Sequence, residues 1–175
     1  MAIFYHLDGH KLLRRDLIIW FEALPPPEQG ASEVYELARW FPEGVTRFGL
    51  SILKGLACEG HLKRETTLES VRREFYPDRP SRYTSVFACK SPEDIIRFHS
   101  QFDYDGPIWK VDATEGFKAD VNLFWQRFGD PIDYSHAYWT QTDGDPPQLF
   151  EYLLKPPVTV IEDVAWIVGD HRPHT

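Results

Sequence analysis

Basic charge is scarce in this chain: 19 Lys and Arg stand against 27 Asp and Glu, a formal net charge of −8. Such an acidic balance disfavours nonspecific attachment to nucleic acid through bulk charge, while leaving room for a local basic groove. Cysteine is scarcer still. Cys58 and Cys89 are the only two, and both sit in apolar surroundings without CxxC spacing. That usage reads as reduced core residues of a cytosolic protein rather than a disulfide or a redox pair. Long hydrophobic runs are missing, since no stretch approaches the roughly 20 apolar residues that span a bilayer. The opening "MAIFYHLDGH" also lacks the basic region and long apolar segment of a signal peptide. No membrane partner and a cytoplasmic location are the expectation. The 11 glycines are isolated, so there is no phosphate-cradling loop, and no GxSxG elbow occurs. His6 and His10 are separated by an Asp8-Gly9 turn signal, and "HRPHT" reads as a frayed terminus, so no metal site is expected.

What is present is apolar and aromatic: 42% of the residues are hydrophobic and 15% are Phe, Trp or Tyr. A chain of this kind buries a real core. Strands are expected at "IFYHL" (3–7), "DLIIWFE" (16–22), "RYTSVFAC" (82–89), "PIWKVDA" (107–113), "FEYLL" (150–154) and "VTVIEDVAWIV" (158–168). The prolines at 156–157 should break the last two apart. Amphipathic helices are expected at 32–41 (Ser32 as N-cap), 66–75 (burying Leu68, Val71 and Phe75), 91–99 and 118–128, with further helix over 45–57 and 134–141. The start at Ser91-Pro92-Glu93-Asp94 is the clearest, with an N-cap, a proline at the first helical position and acids in the first turn. No internal repeat, low-complexity tract or linker interrupts the chain, so residues 1–175 read as one domain. Strands and helices interleave irregularly, which favours α+β over a regular βαβ repeat.

Three polar points then stand out on three separate strands: His6 on the first, Arg82-Tyr83-Thr84-Ser85 at the mouth of a middle one, and Glu151 at the head of a late one. Taken singly, each has a plain structural explanation: a satisfied core histidine, a solvated strand entry, an edge glutamate. Their joint placement weakens those explanations.

In order and spacing, "IFYHL", "SRYTSVFA" and "EYLLKPPVTVI" resemble the three conserved strands of the ADP-ribosyltransferase superfamily. The longer series "ESVRREFYPDRPSRYTSVFA", "IWKVDA" and "EYLLKPP" is similar to an uncharacterised bacterial domain family grouped with these transferases, and this likeness spans most of the chain. The resemblance implies a split, mainly antiparallel β-sandwich core with flanking helices. It also implies NAD as co-substrate and transfer of ADP-ribose to a macromolecular acceptor, protein or nucleic acid. Glu151 would then stabilise the oxocarbenium-like sugar formed as nicotinamide leaves. His6 would hydrogen-bond the adenosine-side ribose. Tyr83 by preference, or else Ser85 or Phe87, would contact the nicotinamide ring. Arg82 by preference, or else Arg79, would clamp the pyrophosphate with a planar guanidinium fork.

One departure narrows the acceptor. Many arginine-modifying members carry Glu or Gln two residues before the catalytic glutamate, whereas Leu149 stands there and Gln148 is one place too far. Protein arginine is thus a poor acceptor candidate. Small members of the superfamily often act as toxins or in conflict with phage, which admits a cognate antitoxin or inhibitor as partner. Two alternatives share the fold: a catalytically inert binding or regulatory module, and an NAD glycohydrolase that uses water as acceptor.

Overall fold

In "AIFYHL" Phe4 and His6 are buried while Ile3 is exposed, the two-residue period of a strand with one covered face. A computed structural model of the chain describes residues 1–24, 39–54, 59–102, 106–125, 129–142 and 148–164. The strand just named, β1 (Ala2–Leu7), is followed by β2 (Ile18–Ile19), α1 (Arg47–Lys54) and α2 (Glu59–Phe75). A 3₁₀ turn (Arg82–Thr84) leads into β3 (Val86–Ala88), then α3 (Pro92–Phe102) and β4 (Ile108–Ala113). The chain continues through β5 (Gly116–Asp120), α4 (Val121–Trp125), α5 (Pro131–Trp139), β6 (Phe150–Leu154) and β7 (Val158–Asp163).

The fold is α+β, with two sheets whose strand pairs are all antiparallel among the described residues: β1-β4-β7-β2 and β3-β6-β5. Among the described residues a backbone bridge links them, Tyr5 and Cys89 each donating an N–H to the other's carbonyl at 2.9 and 2.7 Å. One buried cluster joins both sheets through Phe4, Val86, Val111, Leu154, Val158 and Val160. A second packs the three-stranded sheet beneath α2 and α5, with Phe117, Ala119 and Leu153 meeting Leu68, Val71 and Trp139. Trp139 also donates its indole N–H to Leu68 O at 2.8 Å, tying the two helices together.

Several expected elements take another form. Residues 118–128 do not form one helix: β5 pairs along β6 from Gly116 to Asp120, and α4 starts only after Asp120, whose side chain caps Asn122 N at 3.0 Å. Sheet pairing overrides a helical pattern there. The strand expected over 82–89 is a 3₁₀ turn followed by the short β3. That expected over 16–22 is reduced to Ile18–Ile19 plus a Glu22–Val45 bridge. The helix at 66–75 begins at Glu59, and Phe75 at its end is 54% exposed rather than buried. The helix read over 134–141 runs from Pro131 to Trp139, capped by Asp130. α3 starts as expected, with Ser91 Oγ accepting from Asp94 N at 3.1 Å, and extends to Phe102. The helix expected at 32–41 falls mostly outside the described residues, as do Cys58 and everything after residue 164. Among the described residues no helix is long and apolar enough to cross a membrane.

Candidate functional site

On β6, Glu151 lies opposite Ala119 and Leu153 opposite Phe117. Because strand side chains alternate, Glu151 shares the face of Leu153, the face covered by α2 and α5. A carboxylate on a covered face needs partners. Glu151 is only 3% exposed, and it finds Arg82 from the 3₁₀ turn and Tyr138 from α5.

Arg82 is held by the segment that precedes it. Arg72 forms a bidentate pair with Glu69 at 3.0 and 2.8 Å and also donates to the carbonyls of Pro77 and Arg79. Ser81 donates to Glu69 Oε2 at 2.8 Å and caps the 3₁₀ turn by accepting from Tyr83 N. The Ser81 carbonyl in turn accepts from Ser85 Oγ at 2.6 Å. With the loop pinned, the Arg82 side chain points into the protein. Its Nε–H faces both oxygens of Glu65 at 3.2 and 2.9 Å, and Nη1 donates to Tyr138 Oη at 2.8 Å and to Glu151 Oε1. The plane lies between aromatic rings, with Cζ 4.6 Å from the Phe87 centroid and 4.7 Å from that of Phe124.

The charges respond to this burial. Glu65 lies above the usual carboxylate range because burial outweighs the attraction of Arg82. Burial pulls Arg82 down, yet Glu151 and Glu65 more than reverse it, leaving its pKa well above the ordinary value. Burial pushes the Tyr138 phenol well up, so it is a neutral donor. His6 is lowered by burial and is neutral at physiological pH. Its Nδ1–H donates to Phe87 O, which leaves Nε2 a buried acceptor with no partner among the described residues.

These groups converge on a cavity of about 380 Å³ beside the junction of the two sheets. His6, Arg82, Glu65 and Glu151 line it, with Phe48, Phe87 and Phe124 among its apolar walls. That is the size and character of a small-molecule pocket. Of the residues singled out in the sequence, His6, Arg82, Glu151 and Phe87 meet here.

The others do not. Tyr83 is fully buried against Phe41, at 5.1 Å between ring centroids, and does not line the cavity. Ser85 spends its hydroxyl on Ser81 O, and its carbonyl accepts from Thr46 Oγ1 at 2.8 Å. Arg79 lies elsewhere on the surface, 5.0 Å over the Phe117 ring, beside a second pocket. Arg82 itself faces two internal carboxylates instead of standing free as an anion clamp. The segment 79–82 is therefore a buttress that delivers a buried arginine to Glu151.

Glu65 and Tyr138 are site residues that sequence reasoning missed. Glu65 lies one place before the expected helix start, so its spacing of three from Leu68 on the covered face of α2 went unread. Tyr138 gave no signal beyond its position in a short aromatic helix.

Comparison with curated proteins found no match. The pattern of a family described as "Protein of unknown function (DUF2441)" matches residues 51–166. That span takes in Glu65, Arg82, Tyr138 and Glu151 and leaves out His6 and Phe48. Because it covers well over half of the 175 residues, the chain belongs to the DUF2441 family.

Proposed function

We propose that the chain is an NAD-dependent mono-ADP-ribosyltransferase, moving ADP-ribose from NAD to a macromolecular acceptor with Glu151 as its catalytic residue. The observation that carries the reading is that Glu151 and His6, from strands of different sheets, line one pocket. The three strands of the superfamily resemblance also lie in succession: β1 meets the end of β3 at the Tyr5–Cys89 bridge, and β3 pairs with β6.

The chemistry suits the pocket. Nicotinamide in NAD is a cationic ring, which aromatic walls and carboxylates favour. It leaves as a neutral group, so no general acid is required. Positive charge then develops on the ribose, and a fixed carboxylate at that point lowers the barrier more than it strengthens ground-state binding. His6 Nε2, an acceptor without a partner among the described residues, takes a ribose hydroxyl. Of the three ring-contact candidates only Phe87 lines the cavity, so in this reading Phe87 contacts the nicotinamide.

The inert-module alternative also has an observation behind it, since Glu151 is already paired with Arg82. Glu151→Gln separates the two. A glutamine oxygen still accepts from Arg82 and Tyr138, so NAD affinity measured by calorimetry should change little. Nicotinamide release, followed by chromatography with cell protein and nucleic acid as acceptors, should fall about 100- to 1,000-fold. Mass spectrometry of those acceptors distinguishes transfer from hydrolysis. A wild-type protein that neither binds nor consumes NAD would overturn the enzyme reading in favour of the binding module.

A further inference from the structure

Glu151 meets its partners unevenly. Arg82 Nη1 and the Tyr138 hydroxyl both donate to Oε1, the tyrosine at 2.8 Å, and no hydrogen bond from the described residues ends on Oε2. Arg82 is itself shared, because its Nε–H is taken up by Glu65 at 3.2 and 2.9 Å. One guanidinium thus stands between two buried carboxylates. An arginine paired with Glu151 alone would cancel the charge that the site needs against a cationic sugar. A second carboxylate on the far side of the guanidinium offsets that cation and leaves the cluster net negative when both acids are ionised.

We propose that Glu65 and Tyr138 are positioning residues for Glu151. Glu65 anchors Arg82 and offsets its charge, while Tyr138 fixes the carboxylate so that Oε2 is the oxygen offered to the cavity. The role of Oε2 rests on the transferase reading of that cavity.

Other titratable or charged groups face this cluster from every side. Glu69 on α2 lies one turn beyond Glu65, Tyr83 follows Arg82, and Cys89 follows β3. His6 on β1 and His10 beyond it line the same cavity. None of these donates to Glu151. Glu65 stands above the carboxylate range through burial, with Glu151 and Glu69 adding to the effect and Arg82 opposing it.

The test reads what a merely structural role would leave alone. Glu65→Gln removes the second carboxylate and leaves Arg82 to cancel Glu151, and Tyr138→Phe removes a donor that fixes Oε1. Each variant should lose about 10- to 100-fold in kcat with KM and NAD affinity little changed, and Glu65→Asp should recover most of the rate. A folded Glu65→Gln or Tyr138→Phe that turns over NAD like wild type, or a loss carried by KM alone, would overturn the proposal. If Glu65→Gln does not fold, Tyr138→Phe and Glu65→Asp carry the same decision. Crystal structures without NAD give a readout independent of turnover: Oε2 should face the cavity in the wild type, and the Glu151 carboxylate should be rotated in Tyr138→Phe. An unmoved carboxylate would overturn the proposal. A rotated one in a protein that never consumes NAD would uphold the positioning of Glu151 and overturn the transferase reading alone.

Discussion

Replacing Arg82 with Met keeps an unbranched apolar stem between Phe87 and Phe124 and deletes the guanidinium. Two carboxylates then lose their cation where the side chains are only 7% and 4% exposed, Glu65 and Glu151 respectively. Removing one partner of a buried ion pair costs about 3–5 kcal/mol, because the other charge is left uncompensated. For a chain of this length each kcal/mol moves the melting midpoint by about 2–4 °C, so a fall of about 6–20 °C is expected near neutral pH. The loss must also depend on pH. Arg82 opposes the rise that burial causes in Glu65, so without it the folded pKa of Glu65 stands still further above the unfolded value of about 4.3. The stability this group contributes is complete below that value and is lost as pH rises through the folded pKa. Wild-type Glu65 already has this sign, being raised by burial even with Arg82 present. The deficit of Arg82→Met should therefore be small near pH 4 and grow toward neutrality. Urea denaturation of both proteins across that range, followed by tryptophan fluorescence and circular dichroism, measures it directly. Groups that titrate alike in both proteins cancel in the difference. A deficit of the same size at every pH would mean that packing alone was lost. A deficit under about 1 kcal/mol near neutrality would show that Arg82 does not compensate the two acids.

Gly49 should not accept alanine. Its Cβ would lie 1.8 Å from Tyr83 O and 2.6 Å from the carbonyl carbon, so a change that usually favours a helix interior should cost at least about 1–3 kcal/mol by urea denaturation. His6→Asn should flatten the pH dependence of stability on the acid side. Burial lowers the His6 pKa, so the unfolded chain takes up the proton first. Stability is full above the unfolded pKa of about 6.5 and falls as pH drops toward the folded value. Equal slopes for wild type and His6→Asn between about pH 5 and 7 would contradict a buried neutral histidine.

Most of what could be read in the sequence was local. The alternation in "IFYHL", the Ser91-Pro92 cap and the apolar runs of β6 and β7 each state their structure within a few residues, because side-chain period and end-capping are short-range properties. Glu151 and His6 could be singled out for the same reason, as polar residues on otherwise apolar strands. The tertiary structure decided everything that depended on partners. Residues 118–120, read as the start of a helix, became strand because β6 lay beside them. Phe75, expected in the core, ended exposed because α2 outruns the surface it covers. Tyr83 packs on Phe41, away from the cavity, and Arg82 turned from the solvent to Glu65, Tyr138 and Glu151, residues 17, 56 and 69 positions away. No local pattern encodes those meetings. A buried charge is stable only beside a compensating one, and which one it meets is set by how α2, α5 and β6 pack, a decision made by the whole core at once.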